Sequence, residues 1–317
     1  MTPTTPRPDA ALPSAVAHPA LPAIEQAIRA QAGNGFHIVA TREVGGGSIH
    51  TALRVEDASG AAYFVKVGAA DCTAMFEAEA DGLAAIAASG SFRTPAVIAS
   101  GTDGAHAFLV LEHLDLRPLQ SAADGARFAD ALVRLHRDRG ETFGWTRDNF
   151  IGRTPQHNTP HANWAHFFVE HRLRPQFALA RANGFGSELQ REGERLFDRV
   201  PALFLDYRPQ ESLLHGDLWH GNAAVLTDGT PVVFDPAVHR GDRESDLAMS
   251  ELFGGFPSSF YAEYRKAWPL HEDYEQRKLV YSLYHVLNHL NLFGRGYLRE
   301  AMRLATRLNE ELARRRD

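Results

Sequence analysis

A single cysteine, Cys72, stands in a chain of 317 residues. One thiol cannot build an internal disulfide framework or a multi-cysteine metal site, and that usage fits a reducing cytoplasm. No apolar run reaches the length of about 18 residues that a membrane-spanning helix needs. Excess positive charge is also missing. Lys and Arg number 33 against 39 Asp and Glu, for a formal net charge of −6. Broad nucleic-acid binding, which needs basic surface to meet phosphates, is therefore not expected. The N-terminus has no basic segment followed by an apolar core, so it does not read as a secretory signal. What the chain does have is 44% hydrophobic and 23% charged residues. That is enough for a sizeable core under a polar surface, in one large or two modest domains.

Residues 1–20 are biased toward Pro and Ala and read as a disordered tail. A short helix is expected over 21–32, with Leu21, Ile24, Ala27 and Ile28 on one face and Gly33 and Gly35 as its stop. Three strand signals follow, at 36–43, through Leu53 and Val55, and at 62–67. Between the first two lies a glycine cluster, Gly45, Gly46, Gly47 and Ser48. It reads either as a flexible hairpin tip or as a lid whose backbone N–H groups approach phosphates closely. On the third strand, period-two alternation puts Phe64 and Lys66 on one face and Val65 and Val67 on the other. A helix over 71–88 carries Phe76, Glu79, Leu83 and Ile86 at three- and four-residue steps. Glu79 is thus an acid on an apolar stripe. Such an acid needs a partner, and Lys66 is available. Two more strands, 97–99 and 107–111, complete a five-stranded antiparallel sheet with one helix.

The domain boundary is expected after Leu114, giving 21–114 and 115–317. Backbone groups of Glu112, His113 and Leu114 could serve an adenine ring at such a connector. Beyond it the pattern turns helical, at 122–137, 163–182, 189–205, 244–253, 258–268, 274–293 and a last basic segment to 316. A small β domain feeding a mainly helical one is a bilobal α+β arrangement. His285 and His289 have zinc-compatible spacing, but no Glu follows His285, so they read as core or pocket-lining residues.

The helical region is interrupted by His215-Gly-Asp-Leu-Trp-His-Gly-Asn222. Residues 223–226 and 231–234 read as strands joined by the turn Thr227-Asp-Gly-Thr230, and Asp235 follows. Antiparallel pairing brings Asn222 and Asp235 side by side. One aspartate, Asp217, with an amide and a second carboxylate nearby is the set phosphoryl transfer needs. Asp217 would accept a hydroxyl proton, while Asn222 and Asp235 would hold Mg²⁺ against the phosphates of ATP. Trp219 and His220, inside the motif, are substrate-side candidates. A metal-dependent hydrolase using His215, Asp217 and His220 remains a second reading at this point, and a catalytically dead nucleotide-binding module a third.

These residues resemble the fructosamine/ketosamine-3-kinase family. The resemblance rests on His215-Gly-Asp-Leu-Trp219 with Asn222, on Phe234-Asp-Pro-Ala237 and Arg243-Glu-x-Asp246, and on Phe253-Gly-Gly-Phe256. Further matches are Arg172-Leu173 and the segment from Tyr284 to Phe293. Related sequences with the bare His-Gly-Asp motif include aminoglycoside- and choline-type phosphotransferases, which supply the alternative activity. The resemblance implies a protein-kinase-like fold with a small antiparallel β N-lobe and a larger helical C-lobe. It implies ATP- and Mg²⁺-dependent phosphorylation of the sugar C3 hydroxyl of ketoamines, either small molecules or glycated protein lysines. It also implies Asp217 as base, Asn222 and Asp235 as metal ligands, Lys66 and Glu79 as the phosphate-positioning pair, and the glycine cluster as lid. Asp246 is implied as an acid bracing the loop. A cytoplasmic monomer is expected. Ser48 stands where some members carry a regulatory cysteine, so redox control through that loop is not expected. His220 and the pair His239-Arg240 depart from the usual residues, which leaves the substrate pocket open to difference.

Overall fold

The computed structural model describes residues 16–45 and 50–314. Gly46, Gly47 and Ser48 therefore lie outside the described residues, as do 1–15 and 315–317. Contacts divide the chain into two compact units, Met1–Thr73 with Val97–His113, and Ala74–Ala96 with Leu114–Asp317.

The first unit contains helix α1 (Leu21–Ala32) and strands β1 (Ala40–Glu43), β2 (Thr51–Glu56), β3 (Ala62–Ala69), β4 (Val97–Thr102) and β5 (His106–Glu112). The strands form one antiparallel sheet in the order β1-β2-β3-β5-β4. Ile24 and Ile28 of α1 pack with Leu53, Val55, Val65, Val67, Phe108 and Val110. Burying each such side chain contributes about 1.5–3 kcal/mol. Lys66 is buried, on the face of β3 opposite Val65 and Val67, and lies in register with Ala52 and Leu109. β1 is shorter than the sequence suggests. The Ile38 N–H donates to Glu25 Oε2 at 2.9 Å instead of a strand, so the ladder starts later. The expected tail also needs correction at 16–20. Ala20 is fully buried and the Val16 N–H donates to the Thr41 carbonyl at 3.2 Å. A small apolar residue ahead of a helix packs where composition suggests only disorder.

Helix α2 (Thr73–Ala88), grouped with the sheet by its place in the sequence, falls almost wholly in the second unit. Its Gly82 lies against Pro236 and Val238, where an added Cβ would come within 3.1 Å, and Ile86 joins a core with Phe128 and Leu132. The second unit continues with β6 (Arg117–Pro118), α3 (Ala122–Arg137), the hairpin β7 (Asn149–Ile151) and β8 (Thr154–Gln156), α4 (Trp164–Phe168), α5 (Arg174–Ala182) and α6 (Ser187–Phe197). Then come β9 (Ser212–Leu214), β10 (Ala223–Val225), β11 (Pro231–Val233), β12 (His239–Gly241), α7 (Glu244–Leu252), α8 (Ser258–Ala267), α9 (Tyr274–Phe293) and α10 (Leu298–Arg314). A π-helical turn, Val169–Leu173, joins α4 to α5. The helix expected to reach residue 205 ends at Phe197 because Pro201 cannot continue it, and a 3₁₀ turn, Val200–Phe204, replaces its end. One core surrounds α9 and α10, and another lies between α3 and α8.

Candidate active site

Two short antiparallel pairs frame residues 215–222. β9 pairs with β12, Leu214 opposite His239, and β10 pairs with β11, Ala223 opposite Val233. The Phe234 N–H donates to the Asn222 carbonyl at 3.2 Å, so the chain positions of Asn222 and Asp235 meet at the open end of the hairpin, as the turn chemistry predicts. Gly216 has φ +83°, and a Cβ there would fall 2.1 Å from the Ala237 carbonyl oxygen. Only glycine lets the two segments approach so closely.

The loop is anchored by a buried carboxylate. Asp246, in the first turn of α7, accepts the His215 N–H at 2.8 Å and the Gly216 N–H at 2.9 Å. His136 Nε2 donates to the same carboxylate at 3.2 Å, and Tyr264 O–H donates to His136 Nδ1 at 2.8 Å. Arg243 in turn donates to the Tyr264 oxygen at 3.2 Å. Every donor in this series points the same way when His136 is neutral, and burial does lower the His136 pKa. Burial alone would raise the Asp246 pKa, but the hydrogen bonds from His136 and the Gly216 N–H bring it below its ordinary value.

His215 is fully buried, with a lowered pKa caused first by burial. Its Nε2 donates to the Phe234 carbonyl at 3.0 Å, and its Nδ1 accepts the Asp217 N–H at 3.2 Å. Both ring nitrogens are thus engaged by backbone, which removes it from any ligand set. Among the described residues no group of three His, Cys, Asp or Glu side chains converges as a metal site. His215 acts instead as a staple between the loop of Asp217 and the segment of Asp235.

Asp217 is half-buried. Asn222 Nδ2 donates to its backbone oxygen at 2.9 Å and to its Oδ2 at 3.1 Å. Its carboxyl is pushed up to about 7, first by burial and then by the charge of Asp235, against the opposing hydrogen bond from Asn222. Asp235 is exposed and has φ 56°, the single left-handed non-glycine residue among those described. Such backbone costs on the order of 1–2 kcal/mol and tends to persist where geometry matters to function. Asn222 directs its Nδ2 to Asp217, leaving Oδ1 as the amide's acceptor.

The Trp219 ring crowds Gly221, where an added Cβ would come within 2.4 Å, His220 is exposed 4.9 Å edge-on to the Trp219 ring, and Phe253 stands 6.3 Å from that ring. Phe253 also meets His289 at 4.4 Å. His239 is buried beside the stacked rings of Trp164 and Phe167, at 6.3 and 6.4 Å. Elsewhere in the chain, Gly45 is exposed, Glu79 is half-buried on α2, and Glu112, His113 and Leu114 are half-buried at the end of β5 and just beyond. His136, Tyr264, Asn149 and Gln156 carry no motif. Their contribution is invisible until the fold joins residues about 100 positions apart.

The sequence profile of the fructosamine kinase family matches residues 20–311. The chain belongs to that family. It is 44% identical to a probable ketoamine kinase of Synechocystis over 89% of this chain and 94% of the relative. It is 38% identical to the chloroplastic protein-ribulosamine 3-kinase of Arabidopsis thaliana over 85% of this chain and 82% of the relative. The crystal structure of a candidate fructosamine-3-kinase from Haemophilus somnus superposes with a TM-score of 0.83 at 31% identity, covering 90% of this chain and 96% of the other. The protein-kinase-like α+β fold expected from the motifs is therefore the fold of this chain.

Proposed function

We propose that this protein transfers the γ-phosphoryl group of ATP to the sugar C3 hydroxyl of a ketoamine, a fructosamine or ribulosamine, free or carried on a protein lysine. Family membership supports the reaction class, and the relatives named as ketoamine and protein-ribulosamine kinases support the acceptor. The observation that carries the mechanism is Asp217, hydrogen-bonded by Asn222 in a loop anchored to Asp246.

Asp217 accepts the hydroxyl proton as the C3 oxygen attacks phosphorus. A carboxyl raised toward neutrality is a better proton acceptor than an ordinary one, and it still ionises near neutral pH. Asn222 and Asp235 offer the hard oxygen donors that suit Mg²⁺, beside the Asp217 carboxyl, whose proton affinity is raised first by burial and then by the charge of Asp235. When bound there, Mg²⁺ would supply charge neutralisation on the transferred phosphoryl group. Lys66 and Glu79 are assigned to phosphate positioning, and Gly45 with Gly46, Gly47 and Ser48 to the phosphate lid. Backbone groups of Glu112, His113 and Leu114 are assigned to adenine. Trp219 and His220 are assigned to the acceptor side. In this reading the protein is a cytoplasmic monomer acting on small or protein-bound ketoamines.

The test is ADP release with Mg²⁺-ATP over ribulosamines and fructosamines, with aminoglycosides and choline as competing acceptors. Turnover confined to the ketoamines is expected. Turnover on an aminoglycoside or choline alone would overturn the acceptor assignment.

A further inference from the structure

A second support for the active-site loops lies among buried amides. Arg172 sits in the π-helical turn, 1% exposed, and hydrogen-bonds to backbone carbonyl and amide oxygens. Its Nη1 donates to the His157 and His171 carbonyls at 2.6 and 3.0 Å, and its Nη2 to Asn158 Oδ1 at 2.7 Å. The guanidinium also lies over the Phe167 ring at 4.8 Å. Burying a cation without a counter-ion is costly, so its hydrogen bonds have to be well placed.

From Arg172 the contacts run on in one direction. Asn158 Nδ2 donates to Asn149 Oδ1 at 2.8 Å. Gln156, opposite Asn149 in the β7–β8 hairpin, donates to the same Oδ1 at 2.8 Å. The Tyr284 O–H donates to Gln156 Oε1 at 2.7 Å, which fixes which end of the amide faces inward. The output is two backbone carbonyls. Asn149 Nδ2 donates to Val238 O at 2.7 Å and Gln156 Nε2 to Ala237 O at 3.2 Å. Those carbonyls lie two and three residues after Asp235. The Ala237 N–H reaches back to the His215 carbonyl at 2.8 Å, and the Ala237 oxygen is the atom that excludes a Cβ from Gly216.

We infer that Arg172, Asn158, Asn149, Gln156 and Tyr284 form a positioning relay that sets the place of the Asp235 segment against the Asp217 loop. The inference deepens the proposed phosphoryl-transfer reading and rests on it. None of the five is assigned a contact with substrate. The relay fixes the backbone on which the two carboxylates are mounted, and an error of about 1 Å in such a mounting can cost up to about 100-fold in rate.

Tyr284→Phe, Gln156→Met and Arg172→Met test this singly, with Tyr284→Phe/Gln156→Met as the double variant. Tyr284→Phe removes one hydroxyl and should fold like the parent. Two readouts are needed. The first is steady-state kinetics with the best ketoamine at saturating Mg²⁺. The expected result is kcat lowered about 3- to 10-fold by Tyr284→Phe and about 10- to 100-fold by Gln156→Met, with both KM values within about 3-fold. In the double variant the loss should be smaller than the product of the two single losses. The second readout is amide hydrogen exchange on the unliganded protein. Ala237 and Gly216 should lose protection while the α9 and α10 cores keep theirs. Unchanged kcat and unchanged Ala237 exchange in folded Tyr284→Phe and Gln156→Met would overturn the relay, as would losses that multiply. Arg172→Met extends the series, and the result does not depend on its folding. Absence of ketoamine turnover in the parent would defeat the functional reading instead, and the exchange measurement would still decide the relay.

Discussion

The Asp217 loop is held from two sides by different chemistry. On one side stands a single charge, Asp246, which takes two backbone N–H groups and a buried imidazole. On the other stands a set of neutral amides, Asn149 and Gln156, which donate to backbone carbonyls. The difference teaches how each side should fail. A neutral hydrogen bond contributes about 0.5–1.5 kcal/mol, whereas leaving a buried charged group or its partners unmatched costs about 3–5 kcal/mol. The charged side should therefore govern stability as well as rate, and the amide side mainly rate.

The largest effect is expected where the two sides touch. Gly216→Ala introduces a Cβ 2.1 Å from the Ala237 oxygen at φ +83°. Backbone must move, at a cost above about 2 kcal/mol, with loss of activity. A urea midpoint equal to that of the parent would break the picture of close approach. Asp246→Asn comes next. It exchanges one acceptor oxygen for a donor facing buried N–H groups, and should cost about 3 kcal/mol together with a fall in kcat. Chemical denaturation beside kinetics measures both.

Acid sharpens the comparison on the histidines around the amide side. Burial pulls His239 and His285 down to about 3 from an ordinary value of 6.5. The unfolded chain takes up protons that these folded imidazoles refuse. Their contribution to stability is full above pH 6.5 and is lost progressively as pH falls toward 3. The denaturation midpoint should decline through that window, and His285→Gln should flatten the decline. The smallest effect belongs to His220→Ser. The residue is exposed, so stability should change by less than about 0.5 kcal/mol, while the ketoamine KM shifts if the acceptor lies on that side.

The local parts of this architecture were legible in the residues. Alternation around Lys66 gave β3, and the Asp-Gly turn gave the β10–β11 hairpin that brings Asn222 and the residue before Asp235 together. β6, β9 and β12 were not legible, because two or three residues carry no periodicity and their partners lie far away. The same distance hid His136 from Asp246 and Gln156 from Ala237. Ala20 was misplaced because composition near a terminus says nothing about what packs over it. Helix α2 followed its packing against Pro236 and Val238 rather than its neighbours in sequence.

Asp217→Asn tests the central claim most directly, since it removes the proposed proton acceptor and keeps the shape of the loop. ATP affinity and ketoamine turnover should be measured on the same preparation. The account predicts ATP binding within about 3-fold of the parent and kcat lowered about 10²- to 10⁴-fold. A variant that turns over near the parental rate would contradict it.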